Sequence, residues 1–216
     1  LLLIVSPRIF ADSFYNNKDL IFFSFFIINL FTAIKFLEKK NLKYAILCSI
    51  TCALTINVRI FGLILPVLIS FIYFINILRE ENKNIIKPLI IFLVLTLLFI
   101  VLFWPYLWES PIKNFLYAIK ALSDHNPHLN TFYLGEYFIR VHSPWHYHLV
   151  WIFLTTPFLY ILLFAIGLGS IVHRVIKRLL KIEKNESYND LWRGDKELKD
   201  LFFLLTFIIP IIVAID

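Results

Sequence analysis

"YAILCSITCALTINVRIFGLILPVLISFIYFINIL", Tyr44 to Leu78, carries a single charge, Arg59, in an otherwise apolar run. A helix needs about 20 residues to cross a hydrocarbon core. The run is too long for one crossing and a little short for two straight ones, so its flanks decide the fold. "EKKNLK" (Glu38–Lys43) precedes it and "REENKNIIK" (Arg79–Lys87) follows it. Lysine-rich connections stay on the cytoplasmic side, so the chain between them crosses an even number of times. "NVRIFG" (Asn57–Gly62) then reads as the tip of a membrane hairpin at the opposite face. Arg59 becomes a boundary charge rather than one in mid-bilayer.

Working outward, the same pattern repeats. Further apolar blocks run over Leu20–Leu37, Pro88–Trp104, Leu149–Val172 and Leu201–Ala214, while the central run divides into Tyr44–Ile56 and Ile60–Leu78. Only 17% of the 216 residues are charged and mean hydropathy is +0.78, whereas about a quarter of a soluble domain is charged. The predicted fold is an all-α integral membrane protein with about six to seven transmembrane helices. Alternation places Ser6–Asp19, Asn57–Arg59 and Pro105–His148 outside. The lysine-rich connections, including His173–Asp200, fall inside. Fifteen of the 21 cations then lie at the inner face, as the positive-inside tendency requires.

The expected organisation is one membrane domain over residues 1–216, continuing past both ends, because its first and last residues read as parts of spans. An extracytoplasmic loop covers 105–148 and a cytoplasmic basic loop 173–200. Within the former, "SPIKNFLYAIKALSD" (Ser110–Asp124) has serine then proline at a helix start. Ile112, Phe115, Leu116, Ile119 and Leu122 recur at helical spacing, with Lys113 and Lys120 off the stripe. This predicts an amphipathic helix on the outer interface, against the membrane or against its own protein.

The net charge of +6 resides between apolar spans, so it reads as a topology signal and not as a nucleic-acid surface. The bilayer is the implied partner. Cys48 and Cys52 share one face of an apolar helix and read as small buried residues.

Polar groups gathered on one face of so apolar a protein are candidates for function, since desolvating them is costly. "SPRIFADSFYNNKDL" (Ser6–Leu20) brings Arg8, Lys18 and Asp19 to the mouth of a span. Asp19 reads either as a carboxylate at a helix start or as a group that positions or deprotonates a hydroxyl. Arg8 and Lys18 would hold a phosphate. Arg59 is either a snorkelling boundary residue or a fork for an anionic head group. "DHNPHLNTFYLGEYFIRVHSPWHYHLVW" (Asp124–Trp151) collects His125, His128, His142, His146 and His148 around Asp124 and Glu136. Imidazoles beside carboxylates can bind a divalent metal ion or a phosphate; equally, they can form a polar belt at the interface. A divalent metal ion is the only cofactor the sequence raises.

Three stretches in order, "SPRIFADSFYNNKDL", "NVRIFGLILP" (Asn57–Pro66) and "SPWHYHLVWIFLTTP" (Ser143–Pro157), resemble the membrane glycosyltransferases related to protein O-mannosyltransferases and lipid A aminoarabinose transferase. The resemblance implies a multi-pass enzyme of a bacterial plasma membrane that transfers a hexosyl or pentosyl group. The donor would be a polyprenyl-phosphate sugar, and the acceptor a hydroxyl of a protein, lipid or glycan at the extracytoplasmic face. It assigns Asp19 a catalytic carboxylate role and lets Arg8, Lys18, Arg59 and the histidines, His146 and His148 among them, meet the charge of the leaving phosphate; Glu136 and Tyr147 complete the candidate substrate-binding set. It also implies a principal catalytic aspartate in a loop before Leu1, which would make Asp19 a supporting carboxylate. The alternatives are a polytopic transporter, disfavoured by the scarcity of mid-span charge, and a non-catalytic membrane subunit.

Overall fold

The computed structural model describes residues 6–79, 86–123, 130–139, 144, 146–180 and 195–215. The elements among the described residues are helices and one β-hairpin, in the order α1 (Pro7–Tyr15), α2 (Asn17–Lys39), α3 (Leu42–Val58), α4 (Ile64–Arg79), α5 (Ile86–Phe103), α6 (Pro111–Ser123), β1 (Asn130–Tyr133), β2 (Glu136–Ile139), α7 (Tyr147–Thr155), α8 (Phe158–Leu180) and α9 (Asp195–Ile215). Single 3-10 turns, Ile60–Leu63 and Pro105–Leu107, lead into α4 and out of α5. Four stretches among the described residues are long and apolar enough to cross a membrane: Lys18–Lys39, Ile60–Ile77, Ile86–Phe103 and Phe158–Lys177. At 17 residues α3 is shorter.

The tight α2–α3 link follows from its capping residues. Lys40 ends α2 in the left-handed conformation, φ 48°, which costs a non-glycine residue roughly 1 kcal/mol. Asn41 then accepts a hydrogen bond from the Tyr44 amide (3.1 Å) and starts α3. Helix α3 packs against both α2 and α5. It can do so because Ala45, Ser49 and Ala53 recur four apart, as do Cys48 and Cys52, and all five are fully buried. Small residues at this spacing let helix backbones approach where lipid supplies no hydrophobic drive. Between α2 and α3 the Thr32 and Thr51 hydroxyls meet at 2.8 Å.

The main core lies at this junction and on α4. Phe36 stacks on Tyr73 at 4.8 Å between centroids and meets Phe92 at 5.3 Å, with Phe202 of α9 joining the cluster. A smaller cluster near the α5 exit unites Ala53, Ile56, Ile100 and Leu107, and Phe115 packs on it. Two hydrogen bonds hold the surrounding turn: Trp108 Nε1 to the Val101 carbonyl (2.9 Å) and Asn114 Nδ2 to the Tyr106 carbonyl (2.7 Å). The outside is as apolar as the inside. Phe31, Val67, Phe71, Phe74 and Leu97 all stand more than half exposed, an exterior suited to hydrocarbon rather than water.

Three features differ from the sequence expectation. Ser6–Asp19, read as an outer loop, forms α1 and the first turn of α2, broken at Asn16. The apolar block Leu149–Val172 is split at Thr156, which is extended (ψ 129°) because Pro157 follows it. The basic stretch 173–200 is helical at both ends, in α8 and α9. The expected amphipathic helix forms as α6, with Ile112, Leu116 and Ile119 exposed. The hairpin is a further addition. Leu134 (φ 51°) and Gly135 (φ 92°) have the φ pair of a type I′ turn. Leucine in that conformation costs roughly 1 kcal/mol.

Candidate functional site

Asp19 and Arg59 meet. They come from different elements, the first turn of α2 and the junction that ends α3, and their side chains form an ion pair. Each partner is placed by its own local chemistry. On the acidic side, Asn16 caps α2: its Oδ1 accepts from the Asp19 amide (3.3 Å), while its Nδ2 donates to Asp19 Oδ2. The N-cap side chain thus satisfies an orphan amide of α2 and binds the carboxylate as well, while the Asn16 amide itself donates to the Asp12 carbonyl (2.8 Å). The Asn16 side chain turns the carboxylate toward the helix mouth and leaves Oδ1 for the guanidinium.

On the basic side, Arg59 is extended (φ −147°, ψ 128°), so α3 stops there. Its amide still donates to the Thr55 carbonyl (3.1 Å), and its own carbonyl accepts from the Gly62 amide (2.9 Å). The turn closes so tightly that a Cβ on Gly62 would lie 3.0 Å from the Ile56 nitrogen and from the Thr55 carbonyl carbon. Glycine is required there by close approach. The result is a fixed backbone that projects Arg59 from the tip.

The ion pair is half open to the surroundings: the Arg59 and Asp19 side chains are 48% and 45% exposed. That openness sets its use. A pair so exposed contributes at most about 1 kcal/mol to stability, yet its free donors and lone pairs can reach a ligand. One guanidinium nitrogen is engaged by Asp19, and the remaining N–H groups suit an anionic oxygen. Lys18 is exposed beside Asp19 and has no ion-pair partner among the described residues. Arg8 lies on α1 with its side chain outside the described residues.

A second group forms around Tyr133. In the hairpin Tyr133 pairs with Glu136 and Phe132 with Tyr137. The Tyr133 ring is buried against His146 (5.7 Å between centroids) and Tyr147 (5.1 Å, edge-on). Tyr147 in turn meets His148 at 5.2 Å and Trp151 at 6.2 Å. His146, Tyr147 and His148 are thus gathered with Tyr133 at the start of α7, while Glu136 is exposed and joins them only through its strand pairing with Tyr133. Among the described residues no group of three or more His, Cys, Asp and Glu comes together as a metal site. Asp124, His125, His128, Arg140 and His142 lie outside the described residues.

Two contributors escaped the sequence reading. Asn16 was legible, since Asn-x-x-Asp before an apolar run is a capping signature. Tyr133 was not, because a single tyrosine in an aromatic-rich stretch carries no signal of its own.

No protein-family model, no characterised protein and no solved structure matches this chain.

Proposed function

We propose that this protein transfers a sugar from a polyprenyl-phosphate donor to an acceptor hydroxyl at the extracytoplasmic membrane face, with Arg59 and Asp19 in the site. One observation carries the reading. The cation and carboxylate that two of the resembling stretches contribute separately form an exposed pair at the mouth of an apolar helix. A lipid-linked phosphate must present its charged head at such a boundary while its tail stays in hydrocarbon.

In this reading Arg59 holds the donor phosphate through the guanidinium N–H groups that Asp19 leaves free. The acceptor oxygen attacks the anomeric carbon, the bond from that carbon to the phosphate oxygen breaks, and polyprenyl phosphate leaves with the bonding pair. Guanidinium charge beside the departing phosphate lowers the barrier as its negative charge grows. The acceptor proton passes to a carboxylate. Asp19 is the candidate on this chain, since Asn16 engages one of its oxygens and Arg59 the other, and a carboxylate oxygen with one such partner keeps a lone pair to accept with. Lys18, exposed one residue away, adds positive charge for the phosphate. Glu136, His146, Tyr147 and His148 would contact the sugar or acceptor. No step is routed through a metal ion.

The test is transfer of labelled sugar from a polyprenyl-phosphate donor by the intact protein in liposomes. Arg59→Ala is expected to lower the rate by about 100-fold, the scale for removing one positioned donor from a developing anion. Asp19→Ala should lower it comparably. Undiminished transfer in both variants rejects this site, and passage of solute without any transfer would make the protein a transporter.

A further inference from the structure

The β-hairpin turns an unusual face outward. Its two sides alternate, as strands require: Tyr133 points in and is buried against His146 and Tyr147, while Phe132 and Tyr137 pair on the other side at 5.0 Å between centroids. Phe132 is 57% exposed, Tyr137 75% and the tip residue Leu134 77%. Three large apolar side chains thus crown an element of ten residues. The tip is also the wrong residue for its backbone. A type I′ turn favours asparagine or glycine at the first central position, and here leucine occupies it with φ 51°. A leucine kept in a left-handed turn and pointed outward gains nothing from its own protein, so its gain lies in what it touches.

The hairpin's attachment identifies that surroundings. Tyr133 is anchored on Tyr147, the first residue of α7. Helix α7 leaves Trp151, Ile152, Phe153 and Leu154 exposed in succession, apolar on every side, as a helix in hydrocarbon is. The hairpin therefore sits at the start of a helix whose exposed surface is apolar. Tyr147 at that end, and Trp151 one turn on with its ring 6.2 Å away, are the residue types that mark a membrane boundary.

We propose that the Asn130–Ile139 hairpin is a membrane anchor that dips Phe132, Leu134 and Tyr137 into the leaflet around α7. Its depth is shallow. Turn backbone is not tolerated in open hydrocarbon, and the Glu136 carboxylate follows directly after the turn. The side chains enter while the backbone and carboxylate stay at head-group level, with the Tyr137 hydroxyl in the wet zone. Asn130–Ile139 contains that one carboxylate and no cation, so the occupant is the apolar edge of the bilayer and not an anionic head group. The anchor would hold the Tyr133–His146–Tyr147 cluster at a fixed height. The inference is independent of the sugar-transfer reading.

A spin label on Leu134→Cys, in the intact protein in phosphatidylcholine vesicles, tests this directly. Cys48 and Cys52 are fully buried, and the unsubstituted protein sets the labelling background. Collisions with oxygen, which enriches in lipid, are compared with those of a water-soluble nickel complex. The reference is a label on Lys120→Cys, exposed on the polar side of α6. The expected oxygen-to-nickel ratio is several-fold higher at position 134, and unchanged when anionic lipid or salt is added. In a Leu134→Asn background, where the turn residue is the preferred one, a label on Tyr137→Cys should lose most of its lipid exposure while the hairpin persists. A ratio at 134 equal to that at 120, or a label shielded from both reagents as in a protein contact, overturns the proposal.

Discussion

Arg59 and Gly62 show how one turn serves two ends. The turn needs a residue without a Cβ at position 62, because the α3 backbone lies 3.0 Å from where that atom would be. Gly62→Ala should therefore push the tip away from Ile56 and Thr55, lowering stability by about 1–3 kcal/mol in thermal unfolding. It should also dislodge Arg59 from Asp19. Arg59→Ala is expected to behave differently: the pair is half exposed, so its loss should cost no more than about 1 kcal/mol of stability. If transfer collapses while the melting temperature barely moves, the pair works on a ligand and not on the fold. At this scale the sequence was informative about each residue singly. Asp19 stood at a span mouth and Arg59 at a tip, but their meeting depends on how α2 and α3 pair, and no spacing along the chain encodes that.

At the scale of elements, α3 is the centre because its small residues admit neighbours on two sides. Ser49→Leu, placing a branched side chain at a fully buried position, should destabilise by about 1–3 kcal/mol through overpacking. Thermal unfolding in detergent reads it. The last helix is held by charges on adjacent residues. Lys199 pairs with Glu38 at the end of α2, which also accepts from Lys35 at 3.1 Å, and Asp200 receives two hydrogen bonds from Arg174 of α8, at 2.7 and 2.8 Å. Reversing one partner, Glu38→Lys, should loosen α9 from α2, and the added Lys199→Glu should restore part of the loss; proteolysis of the α8–α9 connection measures it. The charge clamp was hidden from the sequence because its partners lie far apart in the chain. The break at Pro157 was visible as a proline, yet it disappeared inside a continuous apolar block. The hairpin was missed because "YLGE" lacks the Asn-Gly or Asp-Gly signal that announces such turns.

At the scale of the whole molecule, the bilayer explains why so much was legible. Lipid permits few structures, and apolar length and lysine placement report them directly. The boundaries of α2, α3 and α5 follow the apolar blocks within a few residues. The sidedness expected from the lysine placement makes its own prediction: a membrane-impermeant thiol reagent applied from outside should label Tyr15→Cys, which is 87% exposed, and leave Lys39→Cys unlabelled until the membrane is opened. What the bilayer does not dictate is chemistry, so the site rests on a small number of side chains. The most direct measurement is a double-mutant cycle on sugar transfer from a polyprenyl-phosphate donor, comparing Asp19→Ala, Arg59→Ala and the pair together. A shared site predicts that the double variant is about as slow as the slower single one, since Asp19 fixes the guanidinium that holds the phosphate and can take the acceptor proton only when that donor is seated. Rates unchanged from the native protein, or losses that simply multiply, would contradict it.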